Sequence, residues 1–211
     1  MRALLAFARQ IEGATGFWPA HLSPGGGIGI TYTDEVPPTP AAWLGTLRQE
    51  LEALEPHRRP HLSVEPGRAI VGPAGVALYR MGSIKRVHGG RTYVAVDGGM
   101  ADNIRPALYG ARYAALAATR MCDPDTQTVT IAGPYCESGD ILVEDVALPA
   151  VTPGDLIAIP ACGAYCLPMS SNYNGALRPA VVLVHEGTPR LAQRRQTVED
   201  LLALDAGETP E

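Results

Sequence analysis

Cys136 and Glu137 stand side by side in Gly133-Pro134-Tyr135-Cys136-Glu137-Ser138-Gly139-Asp140, after a Gly-Pro break and before a Gly-Asp turn. A thiol and a carboxylate stand together here on irregular backbone between two strand-like runs. Loops of this kind often carry chemistry. Gly25-Gly26-Gly27 would let backbone N–H groups approach a phosphate with no Cβ in the way. Glu65-Pro66-Gly67-Arg68 offers an acid for a ring nitrogen, a glycine N–H for phosphate and an arginine for a carboxylate. Asp97 to Tyr109 reads as a long polar loop leaving a strand, where Arg105 and Tyr109 could grip an anionic group together. Gly163-Ala164-Tyr165 adds a phenol that could reach a phosphate. Each stretch also has a plain reading: a flexible turn, a surface ion pair, a spacer or a packed tyrosine. Their combination in one chain points to chemistry.

These residues need elements to position them. Residues 1 to about 12 have helical spacing, with Leu4, Leu5, Ala8 and Ile11 on one face. A short apolar piece at His21-Leu22 leads into the triple glycine. Thr39-Pro40 is an N-cap with proline at the first helical position, and the helix it opens runs to about Glu55 with Trp43, Leu44, Leu47, Leu51 and Leu54 as its buried stripe. His61 to Val64 is a short strand ending in Glu65-Pro66-Gly67-Arg68. This alternation predicts an α/β unit with parallel strands. After residue 70 the pattern changes to strands separated by Gly/Pro/Asp turns: 76–87, 91–97, 113–118, 126–132, 155–161, 178–185 and 190–195. That is an all-β barrel or sandwich. A last helix begins near Thr197, with Leu201, Leu202 and Leu204 expected to face inward. The domain division is therefore 1–70, α/β, and 71–211, β-barrel with a terminal helix.

The totals agree with a globular protein: 211 residues, 46% hydrophobic and 18% charged, with a net charge of -5. No Lys/Arg run is present, so nucleic acid is not an expected partner, and no apolar run approaches the ~20 residues of a membrane span. Cys122, Cys136, Cys162 and Cys166 fit no zinc pattern. Pro60 breaks the helix-like spacing of His57 and His61, so no metal is expected. The cysteines read as reduced thiols of a cytoplasmic protein. Of the 17 basic residues only Lys85 is a lysine.

Taken in order, the stretches above, with Arg105-Pro106-Ala107-Leu108-Tyr109-Gly110 and Ser171-Asn172-Tyr173-Asn174, resemble the carboxyl-terminal half of the diaminopimelate decarboxylases. These are pyridoxal-phosphate enzymes of the alanine-racemase-like class. The resemblance runs from about Gly25 to about Asp205. It implies that residues 1–70 are the last units of a (β/α)8 barrel and that a Greek-key β-domain follows. Gly25, Gly26, Gly27 and Gly67 would hold the phosphate of pyridoxal 5'-phosphate, with Tyr165 adding a hydrogen bond, and Glu65 would pair with its ring nitrogen. Arg68, Arg105 and Tyr109 would bind the substrate carboxylate that is retained, with Tyr165 nearby. Cys136 would donate the proton that completes the reaction, and Glu137 would meet the distal amino group of the amino-acid substrate. Cys136 and Glu137 would reach the active site of a second subunit in a homodimer. Glutamate after the cysteine favours diaminopimelate, because ornithine-type relatives carry aspartate there.

The resemblance also implies an absence. The family's Schiff-base lysine and the histidine that stacks on the cofactor lie before the matching stretches, and Lys85, on a β-strand, matches neither. The chain thus reads as the later part of a longer enzyme that makes L-lysine and CO2 from meso-diaminopimelate. On this reading the chain associates with its missing half, exposes apolar faces and is inactive alone. A non-catalytic module forming mixed dimers, or a decarboxylase of a related diamino acid, remain open alternatives.

Overall fold

Thr39 opens a helix as its position before Pro40 predicts: its hydroxyl accepts from the Ala42 N–H at 3.1 Å. In the computed structural model, which describes residues 1–205 and 207, the first part of the chain alternates helix and strand. Helix α1 is Arg2–Thr15, strand β1 His21–Leu22, helix α2 Pro40–Glu52, strand β2 His61–Leu62 and helix α3 Gly67–Val71. β1 and β2 pair in parallel, His21 with His61 and Leu22 with Leu62. Leu5 of α1, Leu22 of β1 and Leu51 of α2 make a small core of their own. The stripe on α2 is narrower than its apolar residues suggest, since Leu47 and Leu51 are buried whereas Leu44 is exposed. Phe7 and Phe17 present apolar rings to solvent.

The rest is built on strands β3 (Ala77–Arg86), β4 (Thr92–Val96), β5 (Leu116–Ala117), β6 (Gln127–Ala132), β7 (Ile141–Leu148) and β8 (Leu156–Ile159), with the short helix α4 (Arg105–Tyr109) between β4 and β5. The six strands form one sheet in the order β5-β8-β3-β4-β6-β7. β4 and β6 run parallel and the other neighbours antiparallel. Ala117, Ile157, Met81, Val94, Ile131 and Leu142, one from each strand, lie in a single buried core. The sheet therefore curls round its own interior as a nearly closed barrel, because each strand needs its apolar face covered. Helix α5 (Cys166–Met169), the hairpin β9 (Val181–His185) and β10 (Thr188–Gln193), and helix α6 (Val198–Leu202) follow. No helix among the described residues is long and apolar enough to cross a membrane.

Several expectations need correction. The run after Asp140 is a full strand, β7, absent from the seven strands read above. Its acidic centre Glu144-Asp145 hides the alternation, and Asp145 sits at φ 48 where the β6–β7 register shifts. The stretch 113–118 pairs only at Leu116–Ala117, because the Ala114 N–H instead donates to the Tyr32 carbonyl at 3.0 Å. The 97–109 loop ends in a helix, α4, bounded by Pro106 and by Gly110 at φ 61, which are ordinary start and stop signals. On α6 the Thr197–Asp200 capping box forms, but Leu202 and Leu204 are exposed rather than inward.

One contact fixes how the β-sheet meets the first part. The Cys162 N–H donates to the Gly75 carbonyl at 2.9 Å and the Gly163 N–H to the Gly72 carbonyl at 3.0 Å. A Cβ on Gly163 would fall 1.8 Å from the Val71 carbonyl oxygen. Gly163→Ala should therefore force the backbones apart and destabilise the fold by about 1–3 kcal/mol or more. Urea unfolding measures this, and an unchanged midpoint would disprove the close approach.

Candidate active site

The parallel pairing of β1 and β2 brings the triple glycine against Glu65. The Glu65 N–H donates to the Gly25 carbonyl at 3.0 Å, and a Cβ on Gly26 would fall 2.0 Å from the Glu65 carbonyl oxygen. Gly25 and Gly27 have φ of 77° and 90°, conformations that cost a side-chain-bearing residue free energy. Ser23 Oγ donates to Glu65 Oε1 at 2.9 Å and accepts from the Gly25 N–H at 3.1 Å. One serine thus orients both the acid and the glycine loop. Gly67 begins α3, and the stem of Arg68 packs beside Gly72. The Arg68 guanidinium has no ion pair among the described residues.

Arg105, at the start of α4, is held by aromatic groups. Its Nη1 donates to Tyr32 Oη at 2.9 Å and to Tyr113 Oη at 2.6 Å. The guanidinium carbon lies 5.2, 5.8 and 5.4 Å from the ring centres of Tyr32, Tyr113 and Tyr165, within cation–π range. Tyr165 is exposed and left-handed, φ 67, so its ring turns back over the arginine. Tyr109 is exposed and forms no hydrogen bond among the described residues, so Arg105 finds Tyr32 and Tyr113 as its partners instead. The Tyr113 hydroxyl also shares a hydrogen bond with Cys166 Sγ, 3.6 Å away. The buried Cys166 thiol lies below the usual thiol range. Hydrogen bonding from Cys162 is the main cause, and Tyr113 and the Arg105 charge add to it against the effect of burial.

The Cys136 loop is tied to the Arg105 loop by Asp140. Its buried carboxylate accepts from the Met100 N–H at 2.7 Å and the Tyr135 N–H at 2.8 Å. A Cβ on Gly99 or Gly133 would fall 2.3 or 2.2 Å from its oxygens, so glycine at both positions makes room for it. Burial pushes the Asp140 carboxyl up, and the two N–H donors partly offset that. Within the loop Cys136 is exposed, and its thiol donates to Glu137 Oε1 at 3.5 Å. Tyr173 also donates to Glu137 Oε1. Among the described residues, two buried side-chain polar atoms have no partner, Glu137 Oε2 and Asn103 Nδ2. Both belong to the loops that Asp140 joins, and unpaired buried polar groups call for an explanation.

Glycine loop with Glu65, arginine with tyrosines, and thiol with glutamate thus form three clusters. Lys85 is exposed on β3, paired across to Tyr93, and belongs to none of them. A model of the carboxyl-terminal sheet domain of pyridoxal-dependent decarboxylases matches residues 32–163. The chain belongs to this family.

Among its relatives, the diaminopimelate decarboxylase of Bacillus subtilis (strain 168) is 48% identical over 190 residues, covering 87% of this chain and 43% of that protein. The diaminopimelate decarboxylase of Mycobacterium tuberculosis (strain ATCC 25618 / H37Rv) is 48% identical over 195 residues, covering 88% of this chain and 44% of that protein. The crystal structure of diaminopimelate decarboxylase from M. jannaschii superposes with a TM-score of 0.87 at 32% identity, covering 96% of this chain and 46% of that one. The chain spans about half the length of the curated relatives it matches. Within this pyridoxal-dependent family member, sequence reasoning missed Ser23, Tyr32 and Tyr113 as partners of the site. It quoted Asp140 and Tyr173 without giving either a role. Only Asp140 carried a signal, as the acid placed after Gly139 next to two glycine-bearing turns.

Asp140→Ala should leave the Met100 and Tyr135 N–H groups unpaired and cost about 1–3 kcal/mol, with both loops exchanging amide hydrogens faster. Unaltered exchange there would disprove the tie. Glu35 supports Tyr32 from the other side, because its Oε2 accepts from the Tyr32 and Thr33 N–H groups at 3.0 and 2.8 Å. These backbone donors, that of Thr33 first, hold its pKa at about 2 against an ordinary 4.5. A lowered carboxylate pKa contributes stability above the unfolded value and loses it as pH falls. The wild type should therefore lose its advantage over Glu35→Gln between pH 4.5 and 2, as followed by thermal melts. A constant difference across that window would remove the role of Glu35.

Proposed function

We propose that this chain is the later half of a diaminopimelate decarboxylase, which releases CO2 from meso-diaminopimelate to leave L-lysine. The observation that carries this reading is the pairing of the Gly25–Gly27 loop with Glu65, whose N–H donates to the Gly25 carbonyl at 3.0 Å. The name of the B. subtilis relative and the M. jannaschii structure described as a co-complex with L-lysine support the substrate. We further propose that residues 1–70 complete a (β/α)8 barrel, that 71–211 form a Greek-key β-domain, and that the working unit is a homodimer in the cytoplasm.

The donor set suits pyridoxal 5'-phosphate. The Gly26 and Gly27 N–H groups meet no acceptor among the described residues, which leaves them for a phosphate, whereas the Gly67 N–H already donates to the Glu65 carbonyl at 3.0 Å; the Tyr165 phenol would add a donor. Glu65, oriented by Ser23, would face the ring nitrogen. The bound cofactor would supply an electron sink for the carbon that loses CO2.

The chain's own residues have distinct tasks around that chemistry. Arg68, Arg105 and Tyr109 bind the carboxylate that stays, and Arg105 does so with little freedom because two phenols already hold one of its nitrogens. Cys136, exposed on its loop, delivers a proton from Sγ to the carbon that has lost CO2. Glu137 takes the distal ammonium. Cys136 and Glu137 make no hydrogen bond to Arg105 or Tyr165 among the described residues, which favours the shared site of a dimer, where the pair serves the other subunit.

The test joins this chain to the amino-terminal half of the B. subtilis relative and measures CO2 and L-lysine from meso-diaminopimelate. No turnover would refute the reading. In the active assembly Cys136→Ala should lower kcat on the order of 10²–10⁴-fold and leave cofactor binding unchanged. An unchanged kcat would take the proton-donor role from Cys136.

A further inference from the structure

Glu137 has two different carboxylate oxygens. Oε1 accepts from the Tyr173 phenol and from the Cys136 thiol. Oε2 is buried and accepts from nothing among the described residues. No arginine, lysine or histidine pairs with Glu137 among the described residues. The neighbouring groups are the Tyr173 phenol, the Cys136 thiol and the like-charged Asp140. A carboxylate with no counter-charge among the described residues is left to meet a cationic partner.

Tyr173 is built to hold this arrangement. It lies on a turn whose Ser171 N–H donates to the Ala101 carbonyl at 2.9 Å, and whose Gly175 N–H donates to the Asn172 carbonyl at 3.0 Å. The Asn172 amide donates to the Ala176 carbonyl at 2.7 Å and to Gln196 Oε1 at 2.5 Å. The Tyr135 ring packs edge-on against the Tyr173 ring at 5.6 Å and 83°. The phenol is therefore fixed from the 97–104 loop, from the segment after β10 and from the Cys136 loop itself.

We propose that Tyr173 is a positioning residue for recognition of an ammonium group: its phenol pins Glu137 Oε1 and so holds the carboxylate in one orientation toward the distal ammonium of a diamino-acid substrate. The inference deepens the proposed function and rests on it for the identity of the ammonium. A phenol donated to a carboxylate also favours the anion, and the Tyr173 bond is the main reason that Glu137 sits below the usual glutamate range. Tyr173 is raised in turn, to about 12, by the same bond.

Tyr173→Phe removes one hydroxyl and keeps the ring packed on Tyr135. In the assembled holoenzyme it should raise KM for meso-diaminopimelate on the order of tenfold and leave kcat within a factor of about two, the pattern of lost uniform binding. In this chain alone, carboxyl NMR should show Glu137 titrating at higher pH in the variant than in the wild type. A Glu137 titration unmoved by the substitution, or an unchanged KM, overturns the proposal. A fall in kcat and melting temperature with KM unchanged would mark Tyr173 as merely structural and overturn it too. If the holoenzyme does not act on meso-diaminopimelate, the proposed function fails, and the titration, which needs no turnover, decides by itself whether Tyr173 positions Glu137.

Discussion

The buried carboxylate of Asp140 joins the two loops on which the site depends. It takes the N–H of Met100 from one loop and of Tyr135 from the other, while its own backbone groups close the turn from Gly133 to Glu137. A buried acid is retained only where donors satisfy it, so both loops must come to it in one register. Gly99 and Gly133 are the residues that let them come so near.

The arginine cluster obeys a different constraint. Arg105 is partly buried, and its charge is accommodated by phenol oxygens and aromatic faces instead of a carboxylate. An acid at that place would neutralise the guanidinium and compete with an anionic ligand. Phenols orient it and leave its charge available. Tyr165 reaches this cluster because glycines at 72, 75 and 163 allow two backbones to touch. The site thus spans the parallel β1–β2 pair and the barrel-like sheet, joined at a contact where no side chain fits.

Much of this was legible in the residue string. Thr39-Pro40 and Thr197 announced helix starts, because caps are local hydrogen bonds between neighbours in sequence. The glycine, Glu65-Pro66-Gly67-Arg68 and Cys136-Glu137 stretches stood out as candidate site residues for the same reason, since each motif is contiguous. Strand β7 was not, because the bulge at Asp145 interrupts its alternation. Leu202 and Leu204 looked buried because they are apolar, but a five-residue helix can be amphipathic on paper and still find no surface to cover.

The sequence alone therefore determined the family, the alternation of helix and strand over the first 70 residues and the change to strands after it. These follow from local propensity and contiguous spacing. Only the tertiary structure decided which groups serve those motifs: Ser23 for Glu65, Tyr32 and Tyr113 for Arg105, Tyr173 for Glu137. The partners lie 42, 73, 8 and 36 residues apart in the chain. No periodicity links such positions, and only the folding of the sheet around one core brings their side chains within hydrogen-bonding distance.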